Sequence, residues 1–164
     1  MSKYTKEEIR EFIKESNAIE GVYSEEAIKD SIQAWEWLDE EVGDLSLMDI
    51  LIVHKIVLKN LNPMISGKLR AELKSDVQVG GRACPRYYDV PNRIANWLAN
   101  VNNVDWDEES IVGIHIAFER IHPFADGNGR VGRLIYCWMR QVSGYPIHII
   151  REKDKEKYYE WFRS

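Results

Sequence analysis

His122-Pro123-Phe124-Ala125-Asp126-Gly127-Asn128-Gly129-Arg130-Val131-Gly132-Arg133 places a base, a metal-competent carboxylate, a glycine-bracketed turn and two guanidiniums in twelve residues. Phosphate chemistry calls for that set. Gly127 and Gly129 remove Cβ atoms where backbone N–H groups must turn toward an anion, and the apolar run Leu134-Ile135-Tyr136-Cys137-Trp138-Met139 reads as a buried helix. The turn therefore opens a helix, whose first N–H groups lack internal partners and whose dipole favours negative charge. Asp126 suits Mg²⁺, which takes one or two carboxylates and completes its shell with phosphate and water. Arg130 and Arg133 lie three apart on one helix face, and their planar forks match phosphate oxygens. His122 can accept a proton near neutral pH.

Each fragment alone has an ordinary reading: Gly-Asn-Gly is a common turn, and a His beside Pro is a common loop residue. Their joint occurrence at one spacing is what carries the chemistry. The rest of the composition sets bounds. The 164 residues, 45% apolar, have the size and core content of one compact domain. A net charge of −5 leaves no overall basic field for nucleic acid. The N-terminal stretch is polar, no run of 18 apolar residues appears, and a cytoplasmic protein without a membrane partner is expected. Cys84 and Cys137 form neither a disulfide framework nor a Cys-x-x-Cys pair, and no Gly-x-x-x-x-Gly-Lys-Ser/Thr loop occurs. Bound nucleotide must therefore use the Gly127-Asn128-Gly129 turn.

Working outward, Thr5 and Glu8 make a capping box for a first helix ending before Gly21. Ser24 caps a second, with apolar residues from Ile28 to Val42, and Ser46 with Asp49 opens a third that ends near Asn60. Glycines and prolines from Asn62 to Asp89 point to an extended arm, a hairpin with Gly80-Gly81 near its tip. Val90-Pro91 starts a fourth helix, and residues Asp107 to Ser110 start a fifth that runs through Ile121. The twelve-residue segment precedes the sixth, which Gly144 stops, and a last helix from about Lys153 carries Tyr158, Tyr159, Trp161 and Phe162. His54 and His115 lie on apolar helices and His148 in a connection, so they read as packing residues. Phe124 is expected to pack inward.

The segment resembles the signature of the Fic domain, His-x-Phe-x-Asp/Glu-Gly-Asn-Gly-Arg-x-x-Arg, with every fixed position filled. The resemblance extends through Phe118-Glu119-Arg120-Ile121 upstream and through Gly144-Tyr145-Pro146 to Lys157-Tyr158-Tyr159 downstream, covering most of the chain. It implies a mostly α, Fic-type helical domain with a β-hairpin flap at about 73–89. Within one compact unit, residues 1–22 would be an N-terminal inhibitory helix and 23–164 the catalytic core. Family members commonly transfer AMP from ATP to a hydroxyl side chain of a target protein. By the same resemblance His122 is the base, Gly127, Asn128, Gly129, Arg130 and Arg133 hold phosphates, and Asp126 holds Mg²⁺. Tyr158 and Tyr159 match a tyrosine pair that lines the adenine pocket in some relatives, and a core role for one of them stands beside that reading. Val77, Gln78 and Val79 are the flap edge onto which a target segment could add as a strand, the alternative being a plain hairpin.

Ser16-Asn17-Ala18-Ile19-Glu20-Gly21 resembles the family's inhibitory element. Ser16 and Glu20 share a helix face, and the glutamate is expected to pair with Arg133 and keep the γ-phosphate from seating. The expected protein is thus an autoinhibited protein adenylyltransferase using ATP and Mg²⁺, with a hydroxyl-bearing target protein as partner. Self-modification and a homodimer are compatible with it. The alternatives are an enzyme that also removes AMP with help from Glu20, a phosphate or phosphocholine transferase, and a non-catalytic nucleotide sensor.

Overall fold

The computed structural model describes residues 3–163. Met1 and Ser2, the start of the expected 1–22 segment, lie outside the described residues. Four helix starts follow directly from local capping chemistry. In α1 (Lys6–Ile19) the Thr5 hydroxyl accepts from the Glu8 N–H, and the Glu8 carboxylate accepts from the Thr5 N–H. Ser46 and Asp49 repeat this at α3 (Leu47–Leu58), as do Asp107 and Ser110 at α5 (Glu108–Ile121), while Ser24 caps α2 (Glu25–Asp39). Each such cap contributes roughly 1 kcal/mol. Pro91 sits in the first turn of α4 (Val90–Asn103), where its missing N–H costs nothing.

The second helix is shorter than the apolar pattern to Val42 suggested. Glu40 and Glu41 donate to the carbonyls of Trp37 and Leu38, and these tightened i→i−3 bonds end it at Asp39. Val42 is left 91% exposed.

At the centre lies α6 (Asn128–Val142), in which every residue from Arg130 to Gln141 is buried. It packs against α1, α2, α3 and α5. A helix enclosed on all faces belongs to the interior, so the turn at its N-terminus is anchored to the core. α1 is built into the same core through Phe12 and Ile13, both 1% exposed, rather than laid upon it.

The arm is smaller than its sequence boundaries. Residues 62–74 form mainly turns, and the ladder is confined to β1 (Gln78–Val79) and β2 (Arg82–Ala83), antiparallel with Gln78 opposite Ala83 and Val79 opposite Arg82. Gly80 and Gly81 both have positive φ, as a two-residue hairpin turn requires. The C-terminal helix is also broken: α7 spans only Lys155–Tyr159, between single turns at Glu152–Asp154 and Glu160–Phe162. No described helix is long and apolar enough to cross a membrane.

Candidate active site

α5 delivers His122. Beyond its last residue, His122 adopts φ +51° and ψ +63°, a left-handed conformation that costs a side-chain-bearing residue about 1–2 kcal/mol. Its N–H still donates to Phe118 O at 3.1 Å. Ring Nδ1 lies 3.3 Å from the Glu119 carbonyl oxygen. A carbonyl can only accept, so Nδ1 carries the proton and Nε2 keeps the basic lone pair. Burial depresses the imidazole pKa, Arg70 adds to that, and the Glu119 carbonyl, Glu20 and Asp126 oppose it. The ring is therefore neutral at pH 7.

The turn after His122 is clamped from two sides. Phe124, fully buried, stacks on His54 with ring centroids 3.7 Å apart. His54 Nδ1 accepts from the Gly67 N–H at 2.9 Å, which leaves Nε2 to donate to Asp126 O at 2.8 Å. Burial pushes His54 down to about 4, keeping that neutral tautomer in place. From the other side Asn128 closes the turn: Oδ1 accepts from the Phe124 N–H and Nδ2 donates to Phe124 O, both at 2.8 Å. The Asn128 amide is thus committed to shaping the turn. Gly127 is required twice over, since its φ is +86° and a Cβ would strike Leu58 and press on His54.

Whereas α1, α2, α3 and α5 have side-chain caps, α6 begins at Gly127 with none. Its leading N–H groups and positive dipole end are left for a ligand. Asp126, Gly127, Asn128 and Gly129 line a cavity of about 700 Å³, together with His122, Arg133, Glu20 and Glu119. The opposite wall is the arm, through Val79, Gly80, Arg82, Ala83 and Cys84. Gln78 belongs to the ladder and Val77 O accepts from the Cys84 N–H at 3.4 Å, so of the three expected edge residues Val79 is the one on the cavity.

The two arginines have different surroundings. Arg133 is 1% exposed; Nε donates to Ser16 Oγ at 2.7 Å, and Nη2 donates to Ser16 O at 3.1 Å and Glu20 Oε1 at 2.7 Å. Nη1 donates to the Tyr158 hydroxyl at 3.3 Å. The same hydroxyl is hydrogen-bonded to His115 Nε2 at 2.7 Å, and burial pushes His115 down to about 3, so that ring is neutral. Burial lowers the Arg133 pKa, but Tyr158, Glu20 and Glu119 more than reverse this and leave it raised. Gly129 is part of the arrangement, because a Cβ there would collide with Glu20 Oε1 and the guanidinium. Arg130 does not line the cavity. It is buried with Nη2 3.4 Å from Asp126 Oδ1, while Nε and Nη1 have no hydrogen-bond partner among the described residues.

Two further groups, Glu119 and Arg70, had no role in the sequence reading, and Tyr158 makes a contact that reading did not anticipate. Glu119 lies over Gly132, where a Cβ would meet its Oε1, and burial pushes its carboxyl up to about 7 against the pull of Arg133. The Tyr158 hydroxyl orients Arg133, and Tyr158 and its half-buried neighbour Tyr159 both line the cavity. Arg70, fully buried, reaches the backbone around His122. No local motif announces these contacts, since their partners are distant in sequence or are backbone atoms.

The Fic/DOC family profile matches residues 44–139, more than half of the chain. The chain belongs to the Fic/DOC family. It is 32% identical over 123 residues to the protein adenylyltransferase Fic of Aedes aegypti, covering 73% of this chain and 24% of that protein. The Drosophila melanogaster protein adenylyltransferase Fic is likewise 32% identical over 124 residues, covering 73% and 25%. The chain thus spans about a quarter of the length of the curated relatives it matches. Among solved structures it resembles a Fic domain containing signaling protein from Bacteroides thetaiotaomicron, with a TM-score of 0.78 and 21% identity over 94% of this chain and 70% of that one. It also resembles a Fic-1 fragment from C. elegans, with a TM-score of 0.77 and 23% identity over 94% and 54%. These likenesses establish the Fic fold, with α6 and its N-terminal turn at the centre.

Proposed function

We propose that this Fic domain transfers AMP from ATP to a hydroxyl side chain of a target protein and that Glu20 restrains the transfer. The observation that carries the reading is the meeting, in one cavity, of a neutral His122, the uncapped N-terminus of α6 and an Arg133 already engaged by a carboxylate. The nucleotide phosphates lie over Gly127, Asn128 and Gly129, with Arg133 on the terminal phosphate and the unpartnered donors of Arg130 supporting charge beneath the turn. His122 Nε2 takes the proton of the acceptor hydroxyl. The hydroxyl oxygen bonds to the α-phosphorus as the α–β bridging bond breaks, and pyrophosphate leaves. Tyr159 borders the adenine side.

The donor set fits Mg²⁺ rather than a metal held by protein alone. The Asp126 carboxylate is 62% exposed at the cavity edge, and no cluster of three or more His, Cys, Asp or Glu occurs among the described residues. Asp126 would hold the ion together with phosphate oxygens. There it would neutralise charge on the departing pyrophosphate.

The restraint has a simple physical basis. A γ-phosphate and Glu20 need the same guanidinium fork, and the two anions repel each other. The test compares α-³²P-ATP with γ-³²P-ATP in the wild type, Glu20→Gly, and Glu20→Gly with His122→Ala. Label from the α position alone, rising on loss of Glu20 and falling about 10²- to 10⁴-fold on loss of His122, is expected. Label from the γ position would instead assign phosphotransfer, and nucleotide binding without label would assign a sensor.

A further inference from the structure

Arg70 is a fully buried cation that no step above uses. It lies in the turns between α3 and the arm, about fifty residues from the signature, yet its donors converge on it. Nε donates to His122 O at 2.6 Å and Nη2 to Ile121 O at 3.2 Å. The Arg70 backbone N–H donates to Pro123 O at 2.9 Å. Three successive carbonyls spanning the catalytic histidine are thus held by one residue. The same guanidinium holds both feet of the arm: Nη1 donates to Ser75 O at 3.2 Å and Nη2 to Pro85 O at 2.5 Å. The Ser75 N–H returns a bond to Arg70 O at 2.9 Å.

His122 is where such a clamp is needed. It is left-handed, and it precedes proline, which itself disfavours helical backbone at the residue before it. Conformations disfavoured in this way persist where the surroundings over-determine them. A planar fork spreads five donors over three nitrogens and reaches carbonyls of separate segments at fixed angles, whereas an ammonium has three donors on one atom.

We propose that Arg70 is a positioning residue that holds the His122 backbone in its left-handed conformation and registers the two feet of the arm against it. One guanidinium would then set the distance between the base and the segment that presents the acceptor. The acceptor part rests on the AMP-transfer reading; the clamp on His122 does not.

Arg70 also carries charge toward the imidazole, along with Glu20 at the end of α1, Asp126 before α6, the Glu119 carbonyl, and Arg82 and Arg120 on the cavity wall. Neutralising Arg70 should therefore raise the His122 titration midpoint, while retaining a cation should not.

The test has three readouts in Arg70→Lys and Arg70→Gln, each also made in the Glu20→Gly background. Amide hydrogen exchange should accelerate at 75–86 and 121–124 in both variants. The His122 ring titration, followed by NMR, should move upward in Arg70→Gln only. Transfer by the Glu20→Gly background should lose kcat by about 10- to 100-fold, with nucleotide Kd within about threefold, because misplacing a base by an ångström is costly whereas the Gly127-Asn128-Gly129 turn and Arg133 are held by other elements. In the unsubstituted chain, the Arg70 Nε–H signal should be resolved and slow to exchange, a reading that no folding defect of a variant can spoil. A fast-exchanging Nε–H would overturn the proposal. So would an Arg70→Lys protein with unchanged arm exchange and unchanged kcat. If Glu20→Gly alone transfers nothing, the functional reading fails, and the exchange and titration data still decide the role of Arg70.

Discussion

The two walls of the cavity are made of different materials. On one side α1 meets Arg133 through Ser16 and Glu20, in a contact where the guanidinium is out of solvent and its bonds are charge-assisted. On the other side the arm offers a ladder of two residue pairs whose strand residues are all exposed. The first wall is fixed by the core, the second only by its feet. Under the proposed function, the α1 side would control the donor phosphates and the arm would accommodate a variable acceptor.

If that division holds, substitutions on the two sides should differ in kind. The largest effect is expected from Glu20→Gly, which should raise AMP incorporation by about 5- to 150-fold, the range of a typical coupling free energy. It should do so without displacing α1, whose Phe12 and Ile13 remain in the core; α-labelled ATP and circular dichroism check the two halves of that statement. Ser16→Ala should cost about 1–3 kcal/mol in urea unfolding, because it leaves the buried Nε donor of Arg133 without its acceptor.

The same wall should carry a pH signature. Folded Glu119 holds its proton up to about 7 against an ordinary value of 4.5, so the folded chain binds more protons than the unfolded chain between those values. Stability contributed by the protonated form is present at low pH and lost as pH rises through that window. Relative to Glu119→Gln, the wild type should lose about 1–3 kcal/mol between pH 4.5 and 7.5, read from paired urea titrations. The depressed histidines act in both proteins and cancel in the difference. The smallest change belongs to the arm: Val79→Ala should alter stability by less than about 0.5 kcal/mol and appear only in the KM for the acceptor protein.

Much of this was legible because it is local. The capping boxes at Thr5 and Ser46, the Gly80-Gly81 turn and the twelve residues from His122 to Arg133 each place their partners within a few positions of each other. The Glu20 to Arg133 contact spans 113 residues and became legible only through resemblance to a family element. Arg70 was not legible at all, since its hydrogen-bond partners are backbone oxygens, which leave no mark on residue type. The same holds for Asn128, whose identity suggests a phosphate contact but whose amide is taken up by the Phe124 backbone. The sequence also placed Arg130 beside Arg133 without showing that one faces the cavity and the other lies beneath the turn.

The central claim is that Glu20 and the terminal phosphate compete for Arg133, and a double-mutant cycle on the rate of AMP transfer tests it most directly. Wild type, Glu20→Gly, Arg133→Ala and the double variant would be assayed with α-labelled ATP at equal nucleotide saturation. The prediction is strong non-additivity: loss of Glu20 accelerates transfer when Arg133 is present and changes it by less than about twofold when Arg133 is absent. Equal acceleration in both backgrounds would contradict the account, because Glu20 would then be acting on something other than Arg133.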